Sequence, residues 1–377
     1  MKNADWIDAG TACALLGVKP QTLYAYVSRK KIRVQVDLAD ARHRLYARPD
    51  IETLARQNHR PRARAEVAEQ AIRWGDPVLS TALSEVREGG LWLRGLAVED
   101  CAERMTLEEM AAHLWDVPVA AFPASEGLSA GSEPLVRALA GLTRAVETAG
   151  PMQPGQRAVL AAQGRSLLSA MGGALMGGAG GGPMHRRLGR AWGLAPPACE
   201  DLRRALVLLS DHELNPSTFA VRVAASTGAS LPAALICGLA TLSGARHGGV
   251  AVQALRALRA ARADRVDTFL ARAPDPYAFG FGHPLYPDGD PRARHLLARL
   301  PRDAPALGAV RALSDRLGLA PNIDAALAAL TLAHGLSDAA GFALFATARS
   351  AGWVAHAMEQ VDSGALIRPR ARYAGKV

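Results

Sequence analysis

The stretch from residue 210 to residue 253 constrains this chain most, because it sets two short polar patches inside otherwise apolar, helix-forming sequence. The first patch is Asp-His-Glu-Leu-Asn, which includes His212, and the second is His247 followed by two glycines. Pro216 favours a helix start just after the first patch. A second helix, over 231–242, is predicted to end just before the second patch. Both histidines are therefore predicted to lie at or near helix ends.

A polar patch in an apolar surround is where titrating groups become chemically useful, because burial and fixed dipoles shift their pKa values. The glycines after His247 would also let a ligand approach the backbone closely. Taken alone, either histidine is more often structural, as a helix cap or a hydrogen-bonding group. Polar segments further along the chain help to decide whether these histidines have a structural or a chemical role.

The composition favours a helical, globular protein with an aliphatic core. The chain has 377 residues, of which 49% are hydrophobic but only 5% aromatic, and this length has room for two or three domains. Its four cysteines lie far apart, without a C-x-x-C pair, which argues against a metal site or a disulfide and predicts a reducing, cytoplasmic location. The first ten residues lack the apolar segment of a signal peptide. No apolar run reaches the roughly 18–20 residues of a membrane span.

The first sixty residues hold a local excess of positive charge. They contain eleven Lys or Arg and six Asp or Glu, which is a net +5 out of +9 for the whole chain. Such an excess favours an anionic partner, although a protein rich in arginine can carry the same charge without one.

The same region has a helix-turn-helix pattern. An apolar helix from Ile7 to Leu16 is followed by a turn and by a second helix that starts at Pro20. A strand over 34–36, a turn and a second extended segment near Arg44 come next, and a closing helix ends the pattern. We therefore predict a separate N-terminal domain over 1–58. The basic, proline-interrupted residues 59–66 are the predicted linker that follows it.

This N-terminal pattern resembles the winged-helix DNA-binding domain of the MerR and excisionase type. The resemblance implies that the helix over 20–29 enters the major groove and that the following hairpin acts as a wing. The DNA-binding residues that it implies are Gln21, Thr22, Tyr24, Arg29, Arg42 and Arg44. The alternatives are a domain retained for oligomer contacts and a domain that no longer binds anything.

The glycine-rich residues 170–182 have the composition of a phosphate-binding loop but not its context. No Gly-Lys-Ser/Thr follows them, and no strand pattern precedes them. We predict a flexible connection between two helices.

Two more polar segments stand downstream. His283 lies in Gly-Phe-Gly-His-Pro-Leu-Tyr, with Arg292 shortly after it, and Asp324 closes Pro-Asn-Ile-Asp. Two long alanine-rich helices, predicted to break near Gly335 and Gly352, complete the chain.

Arg349 stands inside an apolar stretch of these closing helices. An arginine is costly to bury without a partner, so Arg349 is predicted to meet an anion. That anion is either a ligand or a structural carboxylate.

These residue types suit one kind of chemistry. Arginines bind dicarboxylates or phosphates, histidines without a nearby nucleophile transfer protons or polarise carbonyls, and an aspartate among apolar residues acts as a base with a raised pKa. Proton abstraction beside a carbonyl, followed by attack on a second carbonyl, would use all of them.

From about Gly90 to Arg370, the chain resembles citrate synthase. The segments that carry the resemblance, in order, are LWLRG, DHELNPSTFAVRVAASTGA, SGARHGG, GFGHPLY with DPRA, PNID, and ARSAGW with RPR. The resemblance implies an all-helical fold, with a large domain over 67–250 and 330–377 and a shortened small domain over 251–329. It also implies a homodimer that needs no cofactor beyond its substrates, acetyl-CoA and oxaloacetate.

The resemblance also implies a role for each site residue. His247 would stabilise the enol of acetyl-CoA, Asp324 would take its methyl proton, and His283 would polarise the oxaloacetate carbonyl. The carboxylates of oxaloacetate would be held by His212, Arg292, Arg349 and, from the partner subunit, Arg368. The product would be citrate.

The chain departs from the family pattern in two places. Members of the bacterial type have GHRVYK where this chain has Gly-His-Pro-Leu-Tyr-Pro from Gly282, so two basic residues expected near the coenzyme phosphates are absent. Asp324 is followed by Ala-Ala-Leu, where an aromatic residue, Ser and Gly are common. These departures leave two alternatives open: a 2-methylcitrate synthase that uses propionyl-CoA, and a DNA-binding regulator that uses the synthase fold as a metabolite sensor.

Overall fold

The computed structural model describes residues 6–16, 18–28, 31–37, 40, 43–52, 54, 78–125, 133–177, 180–273, 275–371 and 373. The chain divides into two compact units, Met1–Ser80 and Thr81–Val377. The predicted linker over 59–66 lies outside the described residues.

The first unit combines helices with a small antiparallel sheet. Its elements are β1 (Trp6–Ile7), α1 (Ala9–Leu16), α2 (Pro20–Ser28), β2 (Val34–Val36), β3 (Arg44–Ala47) and a helix at 48–52, here α3. The strand order is β1-β3-β2, with Trp6 opposite Ala47 and Val34 opposite Tyr46. Helices α1 and α2 pack on this sheet around a core that includes Leu16 and Leu23.

Helix α1 begins two residues later than predicted. Asp8 marks its start, because Asp8 Oδ1 accepts a hydrogen bond from the Thr11 N–H at 2.8 Å. The prediction that Ile7 belongs to this helix is wrong, since Ile7 lies in β1 opposite Tyr46, with its side chain buried. A β-branched side chain at the edge of a small core suits a strand.

Helix α2 presents a polar face to solvent. Gln21, Thr22 and Tyr24 are exposed, whereas Leu23 is completely buried. Arg44 is exposed at the start of β3. Two other residues with a predicted DNA contact, Arg29 and Arg42, lie outside the described residues.

The second unit opens with a small sheet and is otherwise helical. Strands β4 (Ser84–Arg87), β5 (Gly90–Leu93) and β6 (Leu96–Ala97) pair antiparallel in that order. The prediction of an all-helical fold is thus correct for the bulk of this unit, which also contains these short strands.

Fourteen α-helices and one 3₁₀ helix (Pro276–Phe279) follow in the described part of this unit. The α-helices are α4 (Val98–Arg104), α5 (Leu107–Trp115), α6 (Pro134–Val146), α7 (Arg157–Met176), α8 (Met184–Ala191), α9 (Pro196–Leu208), α10 (Pro216–Ser226), α11 (Leu231–Leu242), α12 (Val250–Arg262), α13 (Val266–Leu270), α14 (Pro291–Leu297), α15 (Pro305–Leu317), α16 (Ile323–Ala333) and α17 (Ala340–Ser363).

Local sequence explains most of these boundaries. Proline stands in the first turn of several helices, where its missing N–H costs nothing, and Thr106 forms a capping box with Glu109 at the start of α5. Asn215, Asp290 and Asn322 cap α10, α14 and α16 with their side chains. These three caps lie next to predicted site residues.

Helix α17 is the centre of the core. Nearly all of its residues are buried, and it packs against α5, α7, α9, α10 and α11. The prediction of a break near Gly352 is wrong, because Gly352 lies inside this continuous helix. Gly352 is needed for close approach rather than for a turn: a Cβ there would lie 2.5 Å from Ser210 O.

The glycine-rich segment is also more helical than predicted. Helix α7 continues to Met176 and ends at Gly177, which has a φ of 74°. Only the part after Gly177 connects two helices. Gly172 is packed against Met184, so the first glycines serve helix packing.

The four cysteines are free, and none of the helices in the described ranges is long and apolar enough to cross a membrane.

Candidate active site

The 211–215 loop places His212 in the interior. Asn215 ends the loop by capping α10, with its Oδ1 accepting from the Thr218 N–H at 3.1 Å. His212 Nε2 lies 2.9 Å from the hydroxyl of Tyr286, and its ring centroid is 5.3 Å from that of His283. Burial, helped by nearby Arg292, lowers the pKa of His212 well below its usual 6.5. His212 is therefore a neutral, hydrogen-bonding group.

His283 is held in a tight turn that fixes its tautomer. Its Nδ1 accepts a hydrogen bond from the Leu285 N–H at 3.2 Å, so the neutral ring carries its proton on Nε2. Burial lowers the pKa of His283 to about 4, and Arg292 adds to the effect. At neutral pH, His283 is therefore a neutral donor through Nε2.

Asn322 joins the His283 turn to α16. Its backbone N–H donates to Gly280 O at 2.9 Å, its Nδ2 donates to Gly282 O at 3.0 Å, and its Oδ1 accepts from the Asp324 N–H at 3.0 Å. Gly280 has a φ of 96°, and a Cβ there would meet Ala325 N at 2.8 Å. These contacts set the separation between His283 and Asp324.

Asp324 has the environment of a base. Its Oδ1 is buried and has no hydrogen-bond partner among the described residues. Burial raises the pKa of Asp324 to about 7; Asp290 acts in the same direction, whereas Arg292 and Arg349 oppose it. Near neutral pH the carboxyl can therefore both take up and release a proton.

Arg292 is buried but already paired. Its Nε and Nη2 donate to Asp290 at 3.0 and 2.8 Å, and its guanidinium carbon lies 5.5 Å from the centroid of the Tyr286 ring. Asp290 also accepts from the Ile323 N–H at 3.0 Å. Although burial acts in the opposite direction, Asp290 raises the pKa of Arg292, which is fully charged. Two of its donors are committed to Asp290, so Arg292 offers a ligand fewer donors than a free guanidinium.

Arg349 is the second buried cation, at 1% exposure. Its Nε donates to Leu209 O at 2.8 Å, and its guanidinium carbon lies 4.8 Å from the centroid of the Phe345 ring. Burial lowers the pKa of Arg349 to about 10, and Asp211 opposes that shift. Arg349 is therefore still charged at neutral pH.

His247 stands in the turn between α11 and α12, edge-on to Phe345 with 5.8 Å between ring centroids. The turn brings the Gly248 N–H to 2.8 Å from Leu242 O, and a Cβ on Gly248 would lie 2.6 Å from that oxygen. Burial, with a contribution from Arg349, lowers the pKa of His247 to about 3. His247 is therefore neutral, as His212 and His283 are.

Ser217 links His247 to the core. His247 Nε2 lies 2.9 Å from Ser217 Oγ, which also lies 2.7 Å from Asn215 Oδ1 and accepts from Trp353 Nε1 at 3.2 Å. A serine hydroxyl has one proton, so it donates either to Asn215 or to His247. His247 Nδ1 remains as the ring nitrogen that can face a substrate.

The structure thus brings six of the seven predicted site residues into one network of ring contacts and buried charges. The six are His212, His247, His283, Arg292, Asp324 and Arg349. Arg368 is not among them: it is exposed, in the segment after α17. In the described ranges, no group of three or more His, Cys, Asp or Glu residues could hold a metal ion.

The sequence profile of the citrate synthase C-terminal domain matches residues 184–370, which include all seven predicted site residues. Residues 184–370 are therefore similar to the C-terminal domain of citrate synthase.

Known citrate synthases match this chain over about half their length. The citrate synthase of Haloferax volcanii is 36% identical over 191 residues, which are 47% of this chain and 50% of that protein. Citrate synthase 2 of Bacillus subtilis is 31% identical over 194 residues, which are 48% of this chain and 52% of that protein. The chain therefore spans about half the length of these relatives at detectable sequence similarity.

The fold extends further than the sequence similarity. A citrate synthase from Thermoplasma acidophilum, solved as a ternary complex with carboxymethyl coenzyme A and oxaloacetate, superposes with a TM-score of 0.66 at 22% identity. It covers 80% of this chain and 94% of its own. The citrate synthase of Thermotoga maritima gives a TM-score of 0.63 at 23% identity, with the same coverage. The chain has the helical citrate synthase fold.

Several residues that shape this candidate site were not predicted from the sequence. They are Ser217, Tyr286, Asp290 and Asn322. Asp290 and Asn322 do have a local signal, since each is a capping residue type placed just before a helix that carries a site residue. Ser217 and Tyr286 act across the fold, and no local pattern marks them.

Proposed function

We propose that this chain condenses acetyl-CoA with oxaloacetate and water to give citrate and CoA. One observation carries the proposal: Asp324 is a buried carboxyl with a pKa of about 7, in the electrostatic field of Arg292 and Arg349. A base with this pKa is matched to proton abstraction at neutral pH, and two buried cations suit a dicarboxylate.

In the first step, the Asp324 carboxylate takes a proton from the methyl group of acetyl-CoA, and the electron pair of that C–H bond forms the enolate. His247 stabilises the enolate oxygen by donating from Nδ1. That tautomer leaves Nε2 without a proton, so Ser217 then donates to Nε2 instead of to Asn215. A neutral imidazole is the appropriate donor here, since burial keeps the pKa of His247 near 3.

In the second step, the enolate carbon attacks the ketone carbon of oxaloacetate. His283 donates from Nε2 to the ketone oxygen, on which negative charge develops. His212, Arg349 and the remaining donors of Arg292 hold the carboxylates. Hydrolysis of the thioester then releases citrate and CoA. The reaction uses only these substrates and water, so no further cofactor is required.

Release of free thiol from acetyl-CoA plus oxaloacetate tests this reaction directly. We expect CoA release that depends on both substrates, and citrate as the product by mass spectrometry. Propionyl-CoA in the same assay tests the 2-methylcitrate alternative. If neither thioester is consumed at saturating oxaloacetate, the proposed synthase activity is wrong.

We further propose that the active form is a homodimer in which Arg368 completes the partner's site. Arg368 is exposed and outside the buried cluster of its own chain, as a residue that serves a second subunit would be. Mixed dimers of Arg368→Ala and Asp324→Asn subunits should recover part of the activity that each variant lacks alone. Absence of recovery in a confirmed mixed dimer contradicts the shared site.

Domain closure is part of the same proposal. The predicted small domain, residues 251–329, carries His283, Arg292 and Asp324, and the predicted large domain carries His247 and Arg349. A hinge between them would bring the base to the substrate only when both substrates are bound.

We also propose that the N-terminal unit binds duplex DNA. The supporting observation is the exposed polar face of α2, where Gln21, Thr22 and Tyr24 flank the buried Leu23. Affinity should fall steeply with salt, because phosphate contacts release counterions. Fluorescence anisotropy against genomic fragments tests this, with a chain that lacks residues 1–60 as the control. Loss of salt-sensitive binding in that control supports the proposal, and equal binding by both chains contradicts it.

A further inference from the structure

A chain of buried polar groups runs along α17 beside Arg349. Asp211 is completely buried, and its carboxylate accepts a hydrogen bond from Ser84 Oγ at 2.6 Å. His356, also completely buried, places its Nε2 3.2 Å from Asp211 Oδ1 and 3.3 Å from Oδ2. Neither Asp211 nor His356 has a part in the reaction proposed above.

The tautomer of His356 follows from its other neighbour. Arg222 Nη1 lies 3.5 Å from His356 Nδ1, and a guanidinium group can only donate. Nδ1 is therefore the nitrogen without a proton, and the neutral ring donates from Nε2 to Asp211. Arg222 is itself fixed by Glu359 and Gln360, at 2.8 Å each. The network thus orients His356 as a donor to an ionised carboxylate.

The charge of Asp211 is not cancelled inside this network. The carboxylate receives one hydrogen bond from a neutral hydroxyl and shares one N–H from a neutral imidazole, and its Oδ1 has no hydrogen bond of its own. Burial alone would raise the pKa of Asp211, but the hydrogen bond from His356 and the charge of Arg349 lower it, so the group stays ionised.

The positive charge of Arg349 is likewise not neutralised by a group in direct contact with it. Its hydrogen bond goes to a neutral carbonyl, Leu209 O, and within the described ranges no carboxylate lies at ion-pair distance from it. Asp211 and Asp324 oppose the lowering of the Arg349 pKa by burial and by Arg292, and the Asp324 pKa of about 7 leaves that carboxyl only partly ionised. Asp211 lies against α17 close to Arg349: a Cβ on Gly352, one turn along the helix from Arg349, would meet Asp211 Cβ at 3.0 Å, and Arg349 Nε donates to Leu209 O, two residues before Asp211. Asp211 is therefore an ionised carboxylate placed to offset the charge of Arg349.

We propose that Asp211 is an internal anion that stands in for a substrate carboxylate at Arg349 while the site is empty, and that His356 holds it in place as a positioning residue. A buried cation without a counter-charge destabilises the folded protein, so Asp211 stabilises the unliganded state. Once a dicarboxylate is bound, the same negative charge repels it and weakens its binding. Asp211 thereby favours a stable empty site and release of the anion.

The effect of Asp211 on the stability of the unliganded protein can be measured without a ligand. Asp211→Asn preserves shape and removes the charge, and we expect it to lower the melting temperature by about 5 °C or more. In an Arg349→Met background, the same substitution should cost less than half as much, because no cation remains to compensate. Simple additivity of the two substitutions overturns the proposal. Thr347→Val is the control: Thr347 is fully buried on the same helix, and its Oγ1 has no hydrogen-bond partner in the part of the chain that the structure describes, so this change should be additive with Asp211→Asn.

The effect of Asp211 on anion binding is tested with oxaloacetate, and this test rests on the proposed function only for the choice of that ligand. Calorimetry with oxaloacetate, without any acyl-CoA, should show that Asp211→Asn binds about tenfold more tightly than the wild type, because one repelling charge is removed from the interior. Thr347→Val should bind like the wild type. Unchanged or weaker binding by Asp211→Asn means that Asp211 is only structural.

Should Asp211→Asn fail to fold alone, oxaloacetate replaces the missing charge. Refolding in oxaloacetate, compared with acetate at equal ionic strength, should then restore soluble protein, and failure of that rescue also overturns the proposal. Because the stability test involves no turnover, a chain without synthase activity can still pass it. The proposed role of Asp211 and the proposed synthase activity can therefore be disproved independently of each other.

Discussion

Asn322 caps the helix on which Asp324 stands, with Asn322 Oδ1 accepting from the Asp324 N–H at 3.0 Å, while its Nδ2 reaches back to Gly282 O beside His283. One side chain, 1% exposed, thus ties the proposed base to the proposed carbonyl-polarising histidine. The relative position of the two groups does not depend on packing alone.

Asn322→Ala should lower turnover by about tenfold and stability by about 1–2 kcal/mol, because a cap and a buried hydrogen bond are lost together. Asn322→Ser is the matched variant: it keeps a capping oxygen without adding a charge, and it lacks the amide donor to Gly282 O. We expect this variant to be more stable than Asn322→Ala but to turn over as slowly. Chemical denaturation measures the stability, and CoA release measures the turnover. Normal turnover in a destabilised Asn322→Ala protein contradicts a positioning role.

Asp324→Asn should reduce turnover by roughly 10²-fold or more, because the amide cannot take up the methyl proton. In the wild type, kcat/KM should rise with pH through about 7, as the carboxyl loses its proton. A pH–rate profile checks both expectations. A rate that stays flat between pH 6 and 8 assigns the base to another group.

The same substitution should stabilise the protein above pH 7. Since the folded-state pKa of Asp324 is raised from 3.8 to about 7, the folded protein binds the extra proton between these values. Stability from this group is therefore lost as pH rises through that window, and Asp324→Asn removes the loss. We expect a gain on the order of 1 kcal/mol at pH 8 that disappears near pH 4, measured by urea denaturation. An equal effect at both pH values rules out this charge as the cause.

Ser217→Ala should slow turnover by about tenfold, because His247 Nε2 and Trp353 Nε1 both lose their partner. Ser226→Ala, on the same helix, removes a hydroxyl that only donates to Val223 O, and it should leave turnover unchanged. Comparison of kcat for the two variants separates the effect on His247 from a general effect on α10. Similar kcat values for both would show that Ser217 does not fix the tautomer.

Gly352→Ala should destabilise the protein by about 2 kcal/mol or more, although alanine is the better helix former. The new Cβ would collide with Asp211 Oδ1 and would lie 2.5 Å from Ser210 O. Gly341→Ala on the same helix meets nothing closer than 3.4 Å, so it should be neutral or stabilising. Thermal denaturation of the two variants checks the prediction. Equal changes in stability would show that the collision with Ser210 and Asp211 is not the cause.

Short-range sequence determined where the helices that carry the site begin and which side chains could do chemistry. Pro216 and Asn215 start α10, Asn322 starts α16, and Asp324 follows within two residues, because capping acts over one turn of chain. The similarity to citrate synthase and six of the residues that form the buried cluster could be predicted because each of these residues stands in a short, chemically distinct segment.

Only the tertiary structure decided how those groups are tuned. Gly352 sits inside a helix and not at a break, because Ser210 packs against it from more than 140 positions away in the chain. Asp211 meets His356 at a separation of 145 residues, and Ser217 meets Trp353 at 136. Local patterns carry no information about such contacts, since they form only when distant segments pack around α17. The protonation states at this site therefore follow from the fold, while the identity of the titrating groups follows from the sequence.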